Sequence, residues 1–249
     1  FEPSKDRVGD ETFSLLDRWI LEQLHQVVVE CREAYASYEF RKVFNTLNQF
    51  CAVDLSALYV DITKDRMYCD AANSPRRRAT QTAMQRVFDA LVKLLAPILS
   101  FTADEAWEYA GKTASVHLEV FPEPESLYTS TTASDKIAQL SRLRDLAQVA
   151  IDAAVKADEF KKRECADVVF HLPFTDPARS VLAEAAGDAL EFLMVSSFTL
   201  AECEGEARAA VAATGHDECP RCRRSLPLVA SGLCDRCAEV VDALEPTAS

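Results

Sequence analysis

Glycine is scarce in this chain, six in 249 residues, and that scarcity excludes whole classes of chemistry. Phosphate-cradling loops and the Gly-x-Ser-x-Gly turn both need glycine where the backbone turns sharply or approaches a ligand, and neither pattern occurs. Histidine is as thin: His25, His117, His171 and His216 stand far apart, with no His-x-x-x-His pair for a catalytic metal. In "HLEVF" the alternation places His117 and Glu119 on one face of an expected, partly exposed strand, and "DEFKKRE" reads as a solvated helix end. Long uncharged apolar runs are missing too. "MQRVFDALVKLLAPILSF" carries charges every few residues, short of the roughly 20 apolar residues a membrane span requires, so no membrane insertion is expected. The start, "FEPSKDRVGDE", has no initiator methionine and no apolar signal core, which predicts a piece of a longer chain rather than a targeting segment.

Positive charge is the minority sign: 27 Lys+Arg against 40 Asp+Glu, a net charge of -13. A chain that wraps nucleic acid without preference is normally basic, so any such contact must be local. Cations cluster at Arg76, Arg77 and Arg78, at Lys161, Lys162 and Arg163, and at Arg221, Arg223 and Arg224. Each cluster alone reads as a solvated helix face.

Cysteine is plentiful by comparison. Of nine, Cys31, Cys51, Cys69, Cys165 and Cys203 are scattered through periodic apolar segments and read as small buried hydrophobes. An odd count without a signal segment points to a reducing compartment. The other four form two Cys-x-x-Cys knuckles, Cys219 with Cys222 and Cys234 with Cys237, separated by eleven residues. Two such turns facing each other complete a tetrahedral all-sulfur shell that suits one structural zinc; an iron-sulfur cluster or a redox dithiol is the alternative chemistry. His216 reads as a solvent-exposed turn residue rather than a ligand.

Periodicity organises the rest. Apolar residues at helical spacing from Leu15 to about Tyr38 predict a first helix. A second runs from about Phe40 to Tyr68, with Phe44, Leu47, Phe50, Cys51, Leu55, Leu58 and Ile62 as its buried stripe. Ser74 and Pro75 open a third, which Pro97 ends, and Thr102 with Glu105 has the capping-box spacing of a fourth reaching Trp107. These four are expected to form an antiparallel bundle. "SVHLEVFPEPE" breaks the pattern, and a Ser/Thr-rich linker follows, so a boundary is expected near residue 127. A long helix over "DKIAQLSRLRDLAQVAIDAAVKADE", a strand "ADVVFHLPF", a helix "DPARSVLAEAAGDAL" and a strand "EFLMVSSFTLAE" predict a small α/β unit. The expected organisation is mainly α: a helical bundle over 1–126, a connecting helix and α/β unit over 127–212, and a zinc-binding tail over 213–249.

Several of these phrases, "LDRWILEQL", "AYASYEFRKVFNTLNQFCAVDLSALYVDITKDRMYCD", "SPRRRATQTA", "LLAPILSFTADEAWE" and "SVHLEVFPE", resemble the anticodon-binding helical domain of class I isoleucyl-tRNA synthetases. "CPRC" and "LCDRC" resemble the zinc tail that follows that domain in bacterial members. The helical phrases are shared more weakly with the valyl and leucyl enzymes, while the four-cysteine tail singles out the isoleucyl branch. The resemblance implies that the bundle approaches the anticodon stem and loop and that the tail helps hold the tRNA, with tRNA(Ile) as partner. It also implies a cytoplasmic, monomeric protein working with an upstream catalytic domain that carries out ATP-dependent aminoacylation. Arg76, Arg77 and Arg78 match the family's basic helix start, and Lys64 with Arg66 matches its Lys-Asp-Arg turn, where Asp61, Asp65 and Arg66 tying two helices together is an equal reading. Lys161, Lys162, Arg221, Arg223 and Arg224 complete the expected RNA-facing cations.

The chain departs from the family at Arg223, where a Trp usually follows the second cysteine, in its short spacer, and in "KADEFKKRECADVVFHL". The His-Ile-Gly-His and Lys-Met-Ser-Lys-Ser type phrases are missing, so these residues are not expected to activate isoleucine. Two other readings are a free-standing zinc-dependent helical adaptor that binds protein, and a module akin to the knuckle of some DNA-repair glycosylases. The latter needs an N-terminal nucleophile and a lesion pocket that the sequence does not offer.

Overall fold

The computed structural model describes residues 1–125, 128–130 and 132–244. The chain is mainly helical with one three-stranded sheet, and it divides into two compact units. The first takes Phe1–Thr63 and Pro75–Ser134; the second takes Lys64–Ser74 and the chain from Asp135 onward. The boundary expected near residue 127 falls at Ser126 and Leu127, outside the described residues.

In the first unit a short helix α1 (Pro3–Asp6) precedes α2 (Leu15–Ala36), whose buried stripe includes Leu16, Trp19, Ile20, Leu24, Val27, Val28 and Cys31. Ser14 starts α2 by a capping box: its hydroxyl accepts from the Asp17 N-H, and the Asp17 carboxylate accepts from the Ser14 N-H. Asp17 is fully buried, which is tolerable only because its other oxygen accepts from Tyr59 at 2.7 Å and Thr80 at 3.1 Å. That one carboxylate therefore joins three helical segments.

The expected second helix is continuous but not uniform: α3 (Phe40–Gln49), a π-helical segment (Phe50–Val60) and α4 (Asp61–Cys69). The wider i→i+5 winding shifts the phase of the side chains. Tyr59 is buried in consequence, although the regular 3.6-residue stripe omits it, while Cys51, Leu55 and Leu58 are only half-buried. Phe44, expected in the core, is exposed. Helix α5 (Pro75–Leu95) begins and ends where Pro75 and Pro97 place it. Helix α6 (Ser100–Tyr109) starts before the expected Thr102 cap and has no side-chain cap. Trp107, Val92, Ala96, Ala103 and Val116 close a local core there. The strand expected around His117 is absent: Val116–Leu118 is a 3-10 turn, anchored by Asp104, which accepts from the Ser115 hydroxyl at 2.6 Å and the Val116 N-H at 3.1 Å.

Helix α7 (Thr132–Lys156) starts in the first unit and continues into the second. Glu22 accepts from the Ala133 and Ser134 N-H groups at its start, so an acidic side chain meets the positive helix end. In the second unit β1 (Ala166–Leu172) forms the centre of the sheet, with β2 (Ser197–Glu202) parallel on one side and β3 (Arg208–Ala213) antiparallel on the other. The expected single helix is two, α8 (Ala178–Glu184) and α9 (Ala186–Leu193). Glu191–Leu193, expected to begin the second strand, instead end α9, where Met194 turns left-handed at φ 56°. Helix α10 (Asp235–Leu244) closes the described chain.

Candidate metal centre and basic residues

The knuckles lie in the second unit and fold by backbone hydrogen bonds of their own. Cys219 N-H donates to the Arg224 carbonyl at 2.9 Å and Arg223 N-H to the Cys219 carbonyl at 2.8 Å, while Cys234 N-H points at the Cys219 Sγ at 3.4 Å. Arg223 and Gly232 take positive φ, 64° and 76°, in the two tight turns this requires. Leu226, Leu228 and Leu233 pack against the cysteines. The four Sγ atoms of Cys219, Cys222, Cys234 and Cys237 all lie within 4.8 Å of one another, with Cys222 and Cys234 at 3.8 Å. Tetrahedral thiolate ligation at about 2.3 Å separates sulfurs by roughly 3.8 Å, so the group can hold a metal ion. His216 is exposed and is not in this group.

The sulfurs are unequal before any metal arrives. Burial pushes the Cys219 thiol up, but N-H groups of Cys222, Cys234 and Arg221 aimed at its sulfur more than offset this and bring it down to about 6. Burial and the neighbouring sulfurs push Cys222 up to about 12, and burial raises Cys234. Cys219 therefore forms a thiolate more readily at neutral pH than Cys222 or Cys234, and those two gain more from a cation.

Around this cluster the second unit is tied by guanidinium groups. Arg236, between Cys234 and Cys237, forks onto Asp65 at 2.6 and 2.8 Å and reaches Asp70 at 3.0 Å. Burial works against its charge, yet these carboxylates hold its pKa above the ordinary value. Arg221 donates to the Cys69 carbonyl at 2.6 Å and to the Cys237 Sγ at 3.4 Å. Arg66 is 1% exposed; its Nε donates to Glu191 at 2.6 Å, its Nη2 pairs with the same carboxylate, and Asp188 lies at 3.9 Å.

The ten expected RNA-facing cations are not alike. Arg66 is corrected from that set, because a buried guanidinium forked onto a carboxylate presents no surface to a phosphate. It ties α4 to α9 through Glu191, 125 residues away in sequence. Lys64, Lys161 and Arg223 are exposed, and Arg223 pairs with Glu218 at 2.8 Å. Lys162 also pairs with Glu218 and donates to the Arg223 carbonyl, while Arg224 reaches the Val195 carbonyl at 3.5 Å. In the first unit Arg76, Arg77 and Arg78 are half-buried at the start of α5, and Arg78 pairs with Asp6 at 3.1 Å. Sequence reasoning missed Arg236 and Glu191; the carboxylate-rich stretch around Asp65 and Asp70 was the signal that a distant cation would be needed.

The first unit also carries an open cleft of about 910 Å³ lined by Arg32, Lys93, His117 and the stacked pair Tyr35 and Phe121, whose ring centroids are 4.8 Å apart. Arg32 pairs with Glu123 and Lys93 with Glu119, both at 2.9 Å.

A model of the family described as the anticodon-binding domain of tRNA ligase matches residues 17–164. The chain is similar to isoleucine-tRNA ligase of Methylacidiphilum infernorum, 34% identical over 251 residues that cover 98% of this chain and 27% of that protein. The isoleucine-tRNA ligase of Brevibacillus brevis is 35% identical over 260 residues, covering 97% of this chain and 28% of the relative. That of Desulfitobacterium hafniense (strain DCB-2) is 46% identical over 128 residues, 51% of this chain and 14% of the relative. The chain spans a little over a quarter of the length of the relatives it matches along nearly all of its own sequence.

Proposed function

The chain belongs to the family of anticodon-binding domains of tRNA ligases, and from that membership we propose that it is the tRNA-reading portion of an isoleucine-tRNA ligase. In this reading it binds tRNA(Ile) and positions it for ATP-dependent aminoacylation by a catalytic domain elsewhere in the same cytoplasmic, monomeric enzyme. The observation that carries it is the similarity to isoleucine-tRNA ligases over 97–98% of the chain, including the four-cysteine tail that lies beyond the family match. Helices α2, α3, α5 and α6 of the first unit act as an antiparallel bundle facing the anticodon arm. Unstacked loop bases are where a protein reads RNA sequence, and a locally basic face on a body of net charge -13 suits one shaped RNA rather than polyanions at large.

The four cysteines hold one zinc in a structural role. When bound, it cross-links the two knuckles, and its binding energy is folding energy for the tail. Phosphate contact falls to the exposed Lys64, Lys161 and Arg223, with Lys162, Arg221, Arg224 and the Arg76–Arg78 turn of α5 supporting it. The adaptor reading is set aside, since a protein-binding module has no reason to match anticodon-binding domains over residues 17–164.

Titration of the zinc-loaded protein with tRNA(Ile) and with the same tRNA carrying a changed anticodon, at fixed salt, tests the proposal. Tighter binding of the cognate anticodon is expected. Equal dissociation constants for the two tRNAs, from titrations in which the cognate tRNA reaches saturation, refute anticodon reading by these residues.

A further inference from the structure

The two knuckles share a feature that metal ligation does not require. In each, the residue before the second cysteine is arginine: Arg221 in Cys-Pro-Arg-Cys and Arg236 in Cys-Asp-Arg-Cys. Both guanidinium groups reach the same six residues. Arg221 donates to the carbonyl of Cys69, the last residue of α4, and Arg236 takes Asp65 and Asp70 on either side of it. A second contact joins the same pair of segments, the Cys69 thiol lying 3.9 Å from the Arg221 carbonyl.

The last carbonyls of a helix have no partner within it and carry the negative end of its dipole, so a cation there satisfies both needs. Asp70, just past the helix end, is 5% exposed, and a carboxylate that far from water is costly unless paired. The two arginines meet both needs of this segment, a helix-end carbonyl and two carboxylates. Their positions are set by the knuckles, because each arginine lies between two cysteines whose sulfurs a bound metal would hold together. Arg221 also donates to the Cys237 Sγ at 3.4 Å, so one side chain touches both a candidate ligand of the opposite knuckle and the end of α4.

We propose that Arg221 and Arg236 are positioning residues that make occupancy of the four-cysteine site hold residues 65–70 in place. The inference rests on the reading of the four cysteines as a metal site. Its consequence is that the tail governs how the end of α4 presents Lys64 and Tyr68, which are exposed one helical turn apart.

Hydrogen exchange on the full 249-residue chain tests this, with zinc content measured on every sample. Chelation of zinc from the wild-type protein is expected to speed exchange of amides 65–70 by about tenfold or more. The double variant Arg221→Gln/Arg236→Gln should show the same rise while still holding one zinc per chain, and chelation should then add little in that segment. Arg236→Lys in the otherwise intact protein should recover part of the protection. Asp65→Asn with Asp70→Asn, which leaves both knuckles untouched, should raise exchange there as the arginine variants do, and it serves if the double arginine variant loses its metal. The proposal is overturned if chelation speeds exchange only in residues 219–237, or if the zinc-loaded variants all protect 65–70 as the wild type does. A reconstituted wild-type protein that retains no zinc sinks the metal reading itself, and the proposal with it.

Discussion

Removing the Arg66 guanidinium is the most informative single perturbation of the second unit. Arg66→Ala leaves Glu191, 7% exposed, with its fork partner gone. Losing one member of a buried pair costs about 3–5 kcal/mol, because the remaining charge stays in a medium that solvates it poorly. With a urea dependence of about 2 kcal/mol per molar, that loss lowers the unfolding midpoint of this unit by roughly 1.5–2.5 M. The probe must be chosen with care, since both tryptophans, Trp19 and Trp107, belong to the first unit. Exchange protection of the β1 amides, Ala166–Leu172, reports the second unit directly. Replacing both partners, Arg66→Met with Glu191→Leu, should cost less than either single change, since neither buried charge of the pair remains. If Arg66→Ala moves the midpoint by less than about 0.5 M, or the double replacement is as damaging as the single, the pair is not the buried tie its geometry indicates.

Four further outcomes follow from the same structure. Cys219→Ser or Cys234→Ser should abolish stoichiometric zinc binding, read by release into a chromophoric chelator; retention of one tight zinc by either variant contradicts four-sulfur ligation. Zinc affinity should fall as pH falls, since Cys222 and Cys234 must give up protons that their surroundings favour, and should fall more steeply as Cys219 protonates below about 6; a competition assay from about pH 5.5 to 8 that shows a flat affinity rules this out. Burial raises the Asp10 pKa, but hydrogen bonds from Arg86 and Tyr128 and the Arg86 charge outweigh it and leave the carboxyl below its usual value. Its contribution is therefore full above the unfolded carboxyl pKa and lost as pH falls through the lowered folded value, so Asp10→Asn should destabilise at neutral pH and the difference from wild type should shrink as pH falls below the ordinary carboxyl range. Replacing Lys64, Lys161 and Arg223 with glutamine should weaken tRNA binding and reduce its salt slope by about 0.7–0.9 for each phosphate no longer neutralised; an unchanged slope removes these residues from the interface.

The helices were legible wherever local chemistry dominates. Pro75 at the start of α5 and the helical spacing of apolar residues through α2, from Trp19 to Cys31, are short-range signals that the folded chain uses as written. The four cysteines were equally legible, because Cys-x-x-Cys turns need only their own backbone to bring two sulfurs together. The strand expected over "EFLMVSSFTLAE" forms only from Ser197, because its first apolar residues suit a helix end as well as a strand. What decided it was the left-handed turn at Met194, which lets Ser197–Glu202 lie parallel to β1. Strand β3 is rich in alanine, with a single β-branched residue, and carries little strand signal; it exists because β1 offers it a ladder.

By itself, then, the sequence determined the helical character, the paired knuckles and the resemblance to an anticodon-binding domain, all of which depend on residues within a few positions of each other. Only the tertiary structure decided that Tyr59 is core and Phe44 is not, that Arg66 faces Glu191 rather than RNA, and that Arg221 and Arg236 both meet the end of α4. The first outcome follows from a local change of helical winding; the other two depend on which charge finds which partner across 125 to 171 residues of chain, and a charged side chain reads the same in sequence whether water or a buried carboxylate surrounds it.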